Sequence, residues 1–224
     1  MKILILAATA FEVKKYTNQA LSQGILVEVD LFGRHRTDIL ITGVGAVQTA
    51  FHLARVADNY DFILNIGIAG SFNQSIGIGD VVIVTHDCFG DYGIDDNGKF
   101  FTLTQVGLTI EDKFFTNDLM FNPWINKIDY TKKITKCKGV TVGTASGSFE
   151  VIGKLVNVWN PDIETMESAA VFYTCLHLNK PFLCLRAISN FVEPRNRSNW
   201  NINEALSNLQ THVLNIIKEL DVVI

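Results

Sequence analysis

The strongest constraint on the fold is an alternation of short apolar runs with stretches in which apolar residues recur at helical spacing. "KILILAA" (2–8), "RTDILITGVG" (36–45), "DFILNIGIAGS" (61–71), "GDVVIVTHD" (79–87) and "PFLCLRAISN" (181–190) read as buried strands. "GILVEVDLFG" (24–33), "KGVTVGTAS" (138–146) and "DIETMES" (162–168) read as further strands or strand ends. The polar stretch Gly33–Arg36 joins two of them. Helical periodicity is expected over about 11–23, 46–58, 149–158, 167–178 and 202–220. Residues 87–116 are the least regular. The pattern is that of an α/β domain, and 224 residues without a linker or composition break are expected to form a single domain, 1–224.

Composition narrows the function classes. A net charge of −4 argues against a nucleic-acid surface, which shows a basic stripe or patch. The four cysteines, Cys88, Cys137, Cys175 and Cys184, form no CxxC pair and read as reduced core thiols. No apolar run approaches membrane-span length. "MKILILAATA" is read as the first core strand rather than as a signal peptide, because its positive region is a single lysine and its apolar run is short. The expected compartment is the cytoplasm.

Several strands end alike: "LAATA", "LITGVG", "LNIGIAG" and "LRAISN" each pass from an apolar body to small or polar residues. Ligands of open α/β sheets collect at such carboxyl ends, where small residues admit a substrate to the backbone. Any one of Gly43, Gly45, Gly67 and Gly70 is explained by a tight turn; the set points to a site. Met166 and Glu167 stand where a strand becomes a helix. Glu167 reads either as a partner of the helix dipole or as a carboxylate accepting from a sugar diol above the soft methionine. Glu12, after the first strand, reads either as a surface acid at a helix start or as the second carboxylate of a glycosidic pair.

"AATAFEV", "TGVGAVQTA", "NIGIAGSF" with "GIGDVVI", "ETMESAAVF" and "FLCLRAISN" occur in the order and spacing of the nucleoside phosphorylase and nucleosidase superfamily, which the chain resembles over about 1–190. The nearest look-alikes are methylthioadenosine/adenosylhomocysteine nucleosidases and futalosine hydrolases. "SNFVEPRNRSNWNI" resembles the latter. The resemblance implies a three-layer phosphorylase/hydrolase-like fold with a central mixed, twisted sheet flanked by helices. It implies that Glu12 orients or deprotonates the attacking water and that Glu167 binds the ribose hydroxyls, with Met166 beneath the sugar. Ser189 and Asn190 match the pair near the purine. Arg186 matches an arginine that is structural or in contact with Glu12. Ser146, Ser148 and Phe149 match residues around the base.

Two departures carry information. The first turn lacks the glycine and arginine that bind phosphate in the phosphorylases, and Glu12 repels a phosphate dianion while polarising water. Position 190 is asparagine where the adenosine-type enzymes carry aspartate. An amide always offers both a donor and an acceptor. Its NH2 suits a 6-oxo group and its carbonyl suits N7–H, so hypoxanthine is the expected base, and a 6-aminopurine meets donor with donor. With Asn190 unable to yield a proton, the group that protonates N7 is not identified by the sequence.

Arg195 and Arg197 read either as solvated loop residues or as ligands of a substrate carboxylate on the 5′ side, with Trp200 or Phe191 stacking on an aromatic ring. The expected activity is hydrolysis of futalosine to hypoxanthine and dehypoxanthinyl futalosine. A methylthioadenosine nucleosidase, an inosine phosphorylase and a silent nucleoside-binding relative stay open. No metal or organic cofactor is expected, and the histidines lack metal spacing, with His86 the one to watch. The expected partners are a small nucleoside and further copies of the chain, a homodimer or larger, with no nucleic acid and no membrane.

Overall fold

The computed structural model describes residues 1–33, 35–108 and 113–220. Part of the Gly33–Arg36 joint and part of the irregular stretch 87–116 lie outside them. The order is β1 (Lys2–Ala7), α1 (Ala10–Val13), β2 (Leu26–Val29), β3 (Arg36–Ile41), α2 (Ala46–Ala54), β4 (Phe62–Ser71), β5 (Val81–Asp87), β6 (Gly93–Asp96), β7 (Lys99–Thr102), β8 (Phe115–Thr116) and β9 (Leu119–Phe121). It continues with β10 (Thr135–Thr141), α3 (Phe149–Trp159), β11 (Ile163–Thr165), α4 (Ser168–His177), β12 (Phe182–Phe191) and α5 (Ile202–Glu219).

The sheet is mixed. β2 pairs antiparallel with β3, and β3, β1 and β4 follow in parallel. Long β4 then pairs β12 along one edge and the short β11 near its carboxyl end. β12 reaches β5, β5 reaches β10, and β10 returns to β11, so five strands close a ring. Both faces of the sheet are buried, which explains the unbroken apolar runs. Ile3, Ile5, Ala7, Leu183, Leu185 and Ala187 face a cluster with Ala205, Leu206, Leu209, Val213, Ile216 and Ile217 of α5. Leu4, Leu6, Cys184 and Ile188 face Leu53 of α2 and Ala169, Val171, Phe172 and Cys175 of α4. The expected three-layer architecture is present. Each fully buried Leu or Ile contributes about 1.5–3 kcal/mol of transfer free energy. All four cysteines are buried free thiols.

Three local readings need correction. The helix expected over about 11–23 is a single turn, Ala10–Val13. Beyond it the Thr17 hydroxyl takes the Gln19 N–H at 3.1 Å, the local side-chain bond with which threonine competes against helix. Residues 93–102, inside the stretch read as irregular, form the β6–β7 hairpin. Its turn is Asn97-Gly98, both left-handed (φ 53° and 85°), a hairpin signal that the unalternating flanks concealed. "PFLCLRAISN" continues through Phe191, and its pairing with β4 slips at Ser189, which is a β-bulge.

Candidate active site

The carboxyl ends of β1, β4, β11 and β12 meet in one region. Glu12 stands at the third position of α1 and folds back on the helix start. Its Oε2 accepts from the Thr9 N–H at 2.8 Å and the Thr9 hydroxyl at 3.1 Å. Its Oε1 accepts from the Ile68 N–H at 3.3 Å. That approach requires Gly67, where a Cβ would lie 2.7 Å from Oε1. Burial pushes the Glu12 carboxyl above the usual range and the Glu167 charge adds to it, while the Thr9 bonds and Arg186 pull it down.

Arg186 is fully buried on β12. It donates to the Leu185 carbonyl at 2.8 Å and to Asn65 Oδ1 at 2.5 Å. Gly67 lies between its guanidinium and Glu12, with the same Cβ position 3.9 Å from Cζ. The arginine thus acts on Glu12 through its field, and its hydrogen bonds among the described residues are structural.

Glu167 is the N-cap residue of α4, yet its side chain does not cap the helix. Thr165 and Thr141 do so instead, accepting from Ser168 N at 3.3 Å and Ala169 N at 2.8 Å. The freed carboxylate crosses to α2 and its Oε1 accepts from Gly45 N at 3.0 Å. Gly45 is the N-cap of α2 with φ 101°, a conformation that side chains rarely adopt. No described protein donor meets Oε2, so one oxygen is anchored and one remains for a hydroxyl. Met166, half-buried, precedes it.

The bulge sets Asn190. Because Ser189 is the extra residue, Asn190 and not Ser189 pairs with Gly70. The amide orientation follows from its partners: the Phe191 carbonyl can only accept, so it takes Nδ2 at 2.9 Å. The Ser189 hydroxyl, 2.7 Å away, then donates to Oδ1. One N–H and one lone pair of the amide remain.

The loop before α3 is held by two acids. Gly143 N donates to Asp91 at 2.7 Å. Ser146 gives its N–H to Glu164 Oε1 at 2.9 Å and its hydroxyl to Oε2. Sequence reasoning missed both acids. The available signal for Glu164 was a charge inside the strand "IET", buried to 8 % exposure. Phe149, matched to the base contact, starts α3 and is 80 % exposed in this chain. A cleft of about 250 Å³ runs along Val44–Gln48, Asp91, Tyr92 and Thr141–Gly143, past the Gly45 N–H that anchors Glu167.

The two arginines share Trp200 as a neighbour. The Arg195 guanidinium lies over the Trp200 ring at 5.4 Å. Arg197, Trp200 and Phe11 line a second cavity of about 540 Å³. His86 is not part of this region. It bonds the Thr85 hydroxyl at 2.7 Å and stacks on Phe121. Among the described residues no helix is long and apolar enough to cross a membrane.

The chain is 27 % identical over 186 residues to the futalosine hydrolase of Thermus thermophilus, covering 80 % of each protein. It is also 27 % identical over 188 residues to the 5′-methylthioadenosine/S-adenosylhomocysteine nucleosidase of Buchnera aphidicola, covering 80 % of this chain and 72 % of that one. Among solved structures, the 5′-methylthioadenosine/S-adenosylhomocysteine nucleosidase of Neisseria meningitidis in complex with methylthio-immucillin-A superposes with TM-score 0.79. It has 22 % identity over 97 % of this chain and 98 % of that one, a likeness of fold. The sequence model described as "Phosphorylase superfamily" matches residues 2–120, more than half of the chain, and the protein belongs to that superfamily.

Proposed function

We propose that the protein is an N-glycosyl hydrolase of 6-oxopurine nucleosides whose substrate is futalosine. The observation that carries this reading is the Asn190 amide, held between Ser189 and the Phe191 carbonyl with one donor and one acceptor left over. A 6-oxopurine protonated at N7 pairs with both. A 6-aminopurine sets its amine against the amide NH2, and a site with unpaired buried polar groups discriminates strongly.

In the reaction the C1′–N9 bond breaks as the ribosyl ring gains oxocarbenium character. Glu167, steadied by Gly45, strengthens its bond to the ribose hydroxyls as that charge develops, and Met166 supports the sugar. Water attacks C1′ and passes a proton to Glu12, whose raised pKa makes it a stronger base than a free carboxylate. Ser189 orients Asn190, and Phe149 covers the base. Arg197 receives the substrate carboxylate in the cavity beside Phe11, while Arg195 stiffens Trp200 by stacking. Val47 and Phe51, 77 % and 58 % exposed next to Gly45, favour a homodimer or larger assembly. The four free thiols favour a cytoplasmic enzyme, feeding the route to menaquinone that futalosine implies.

The test is base release from futalosine, inosine and methylthioadenosine, with and without phosphate, followed by chromatography. Hypoxanthine release from futalosine without phosphate is expected. Methylthioadenosine as the sole good substrate overturns the 6-oxopurine reading, and phosphate dependence overturns hydrolysis.

A further inference from the structure

The leaving purine needs a proton, and Asn190 has none to give. A second carboxyl group lies beside it. Glu164 on β11 pairs with Gly70 of β4, and Gly70 pairs on its other edge with Asn190 of β12. Residues in register on adjacent strands project to the same face. Glu164 and Asn190 therefore stand on one face with Gly70 between them, where Val192 and the Asn190 amide pack over the glycine.

Glu164 is buried to 8 % exposure, and a carboxyl so placed, with no ion pair among the described residues, is costly to keep ionised. Its contacts fix where a proton sits. Oε1 accepts from Ser146 N at 2.9 Å, so that oxygen is occupied as an acceptor. A proton on Glu164 is carried by Oε2, and the Ser146 hydroxyl, which donates to that oxygen when the carboxyl is ionised, then accepts from it and turns its own hydrogen outward. Ser146 is half-buried in an otherwise exposed stretch, 143–148, whose first residue, Gly143, lines the cleft.

We infer that Glu164, acting through the Ser146 hydroxyl, supplies the proton to the departing purine. The inference rests on the purine nucleosidase reading above. Ser146 Oγ passes its proton to N7 and takes the one on Glu164 Oε2, while the C1′–N9 electron pair leaves with the base. The attacking water forms the C1′–O bond and yields its proton to Glu12. Glu164 ends ionised and Glu12 protonated, and exchange with solvent restores both.

The surroundings favour the protonated form of Glu164. Burial is the first cause, and the charge on Asp91 acts in the same direction against the Ser146 bonds. Its strand neighbours, Val140 on β10 and Gly70 on β4, carry no charge. Activity is therefore present below the Glu164 pKa and falls as pH rises through it.

Glu164→Gln separates a proton source from a clamp, because glutamine still accepts from Ser146 N and meets its hydroxyl but cannot supply the proton. The variant and wild type are compared on futalosine and on p-nitrophenyl β-D-ribofuranoside, whose leaving group needs no protonation. E164Q is expected to lose about a hundredfold or more in kcat on futalosine, together with the alkaline limb of the pH profile. It keeps nitrophenyl riboside turnover within about threefold, and Ser146→Ala follows the same pattern. Equal losses on both substrates, or an alkaline limb retained in E164Q, overturn the inference. If wild type spares futalosine and cleaves methylthioadenosine, the substrate reading fails by itself. The same comparison then runs on methylthioadenosine, where selective loss supports the relay and equal loss overturns it.

Discussion

Replacing Gly67 with alanine is expected to cut turnover while leaving the fold intact. Gly67 is buried on β4 and pairs with Arg186. A Cβ there stands 2.7 Å from Glu12 Oε1 and 3.5 Å from its carboxyl carbon, and ordinary contact begins at 3.4 Å. Gly67 is not among the positive-φ residues, so alanine brings no backbone strain. The Glu12 carboxylate must retreat by roughly 0.7 Å, which draws it from the Ile68 N–H. For the fold, Gly→Ala narrows the unfolded ensemble by about 0.4–1 kcal/mol. A rotamer bent off its minimum costs about 0.5–1.5 kcal/mol. The two nearly cancel, so Tm stays within about 4 °C. For catalysis, a displacement approaching 1 Å costs about 10- to 100-fold in kcat. KM changes little, because Glu167 and Asn190 are not in the clash. The assay is steady-state base release beside a thermal melt. A kcat within about twofold of wild type would refute the placement of Glu12 Oε1 as the base. So would a further tenfold loss on adding G67A to Glu12→Gln, since the methyl is held to act only through that carboxylate.

Glu12 must be ionised to accept the proton, and its pKa is raised, so kcat falls as pH drops through a value above 4.5. Glu167→Gln removes a charge that contributes to the raising, and the acid limb of the remaining activity is expected to move to lower pH; an unmoved limb contradicts the coupling. In Asn190→Asp an oxygen faces the Phe191 carbonyl, favouring a protonated carboxyl that can donate to N7 and accept from a 6-amino group. The ratio of kcat/KM for methylthioadenosine over futalosine is expected to rise more than tenfold, and an unchanged ratio refutes the hydrogen-bond reading of base choice. Asp87 is wholly buried, its Oδ2 has no partner among the described residues, and burial pushes its pKa from 3.8 to about 7. An acid raised on folding is protonated in the native state at low pH and loses native stability as pH rises from 3.8 to about 7. Asp87→Asn is expected to be more stable than wild type at pH 8, by on the order of 4 kcal/mol, and to match it near pH 4 in urea melts; equal stabilities at both pH values refute the assignment.

The sequence by itself determined the elements that rest on local pattern. Apolar runs buried on both faces marked β1, β4, β5 and β12, and the 3.6-residue period marked α2, α3 and α5, because those signals belong to consecutive residues. The strand-end positions of Glu12, Glu167 and Asn190 were legible too, because each follows an apolar body. Local pattern also misled, since Val13, Tyr16 and Leu21 carry part of a helical period that Thr17 interrupts by bonding its own backbone. Tertiary structure alone decided what depends on register between distant strands. The slip at Ser189 that seats Asn190 beside Gly70, the Gly67 gap that admits Glu12 Oε1, and the pairing of Glu164 with Gly70 join residues 55 to 120 positions apart in the chain. No property of a single segment encodes such a pairing, because a one-residue shift in register turns every side chain to the opposite face.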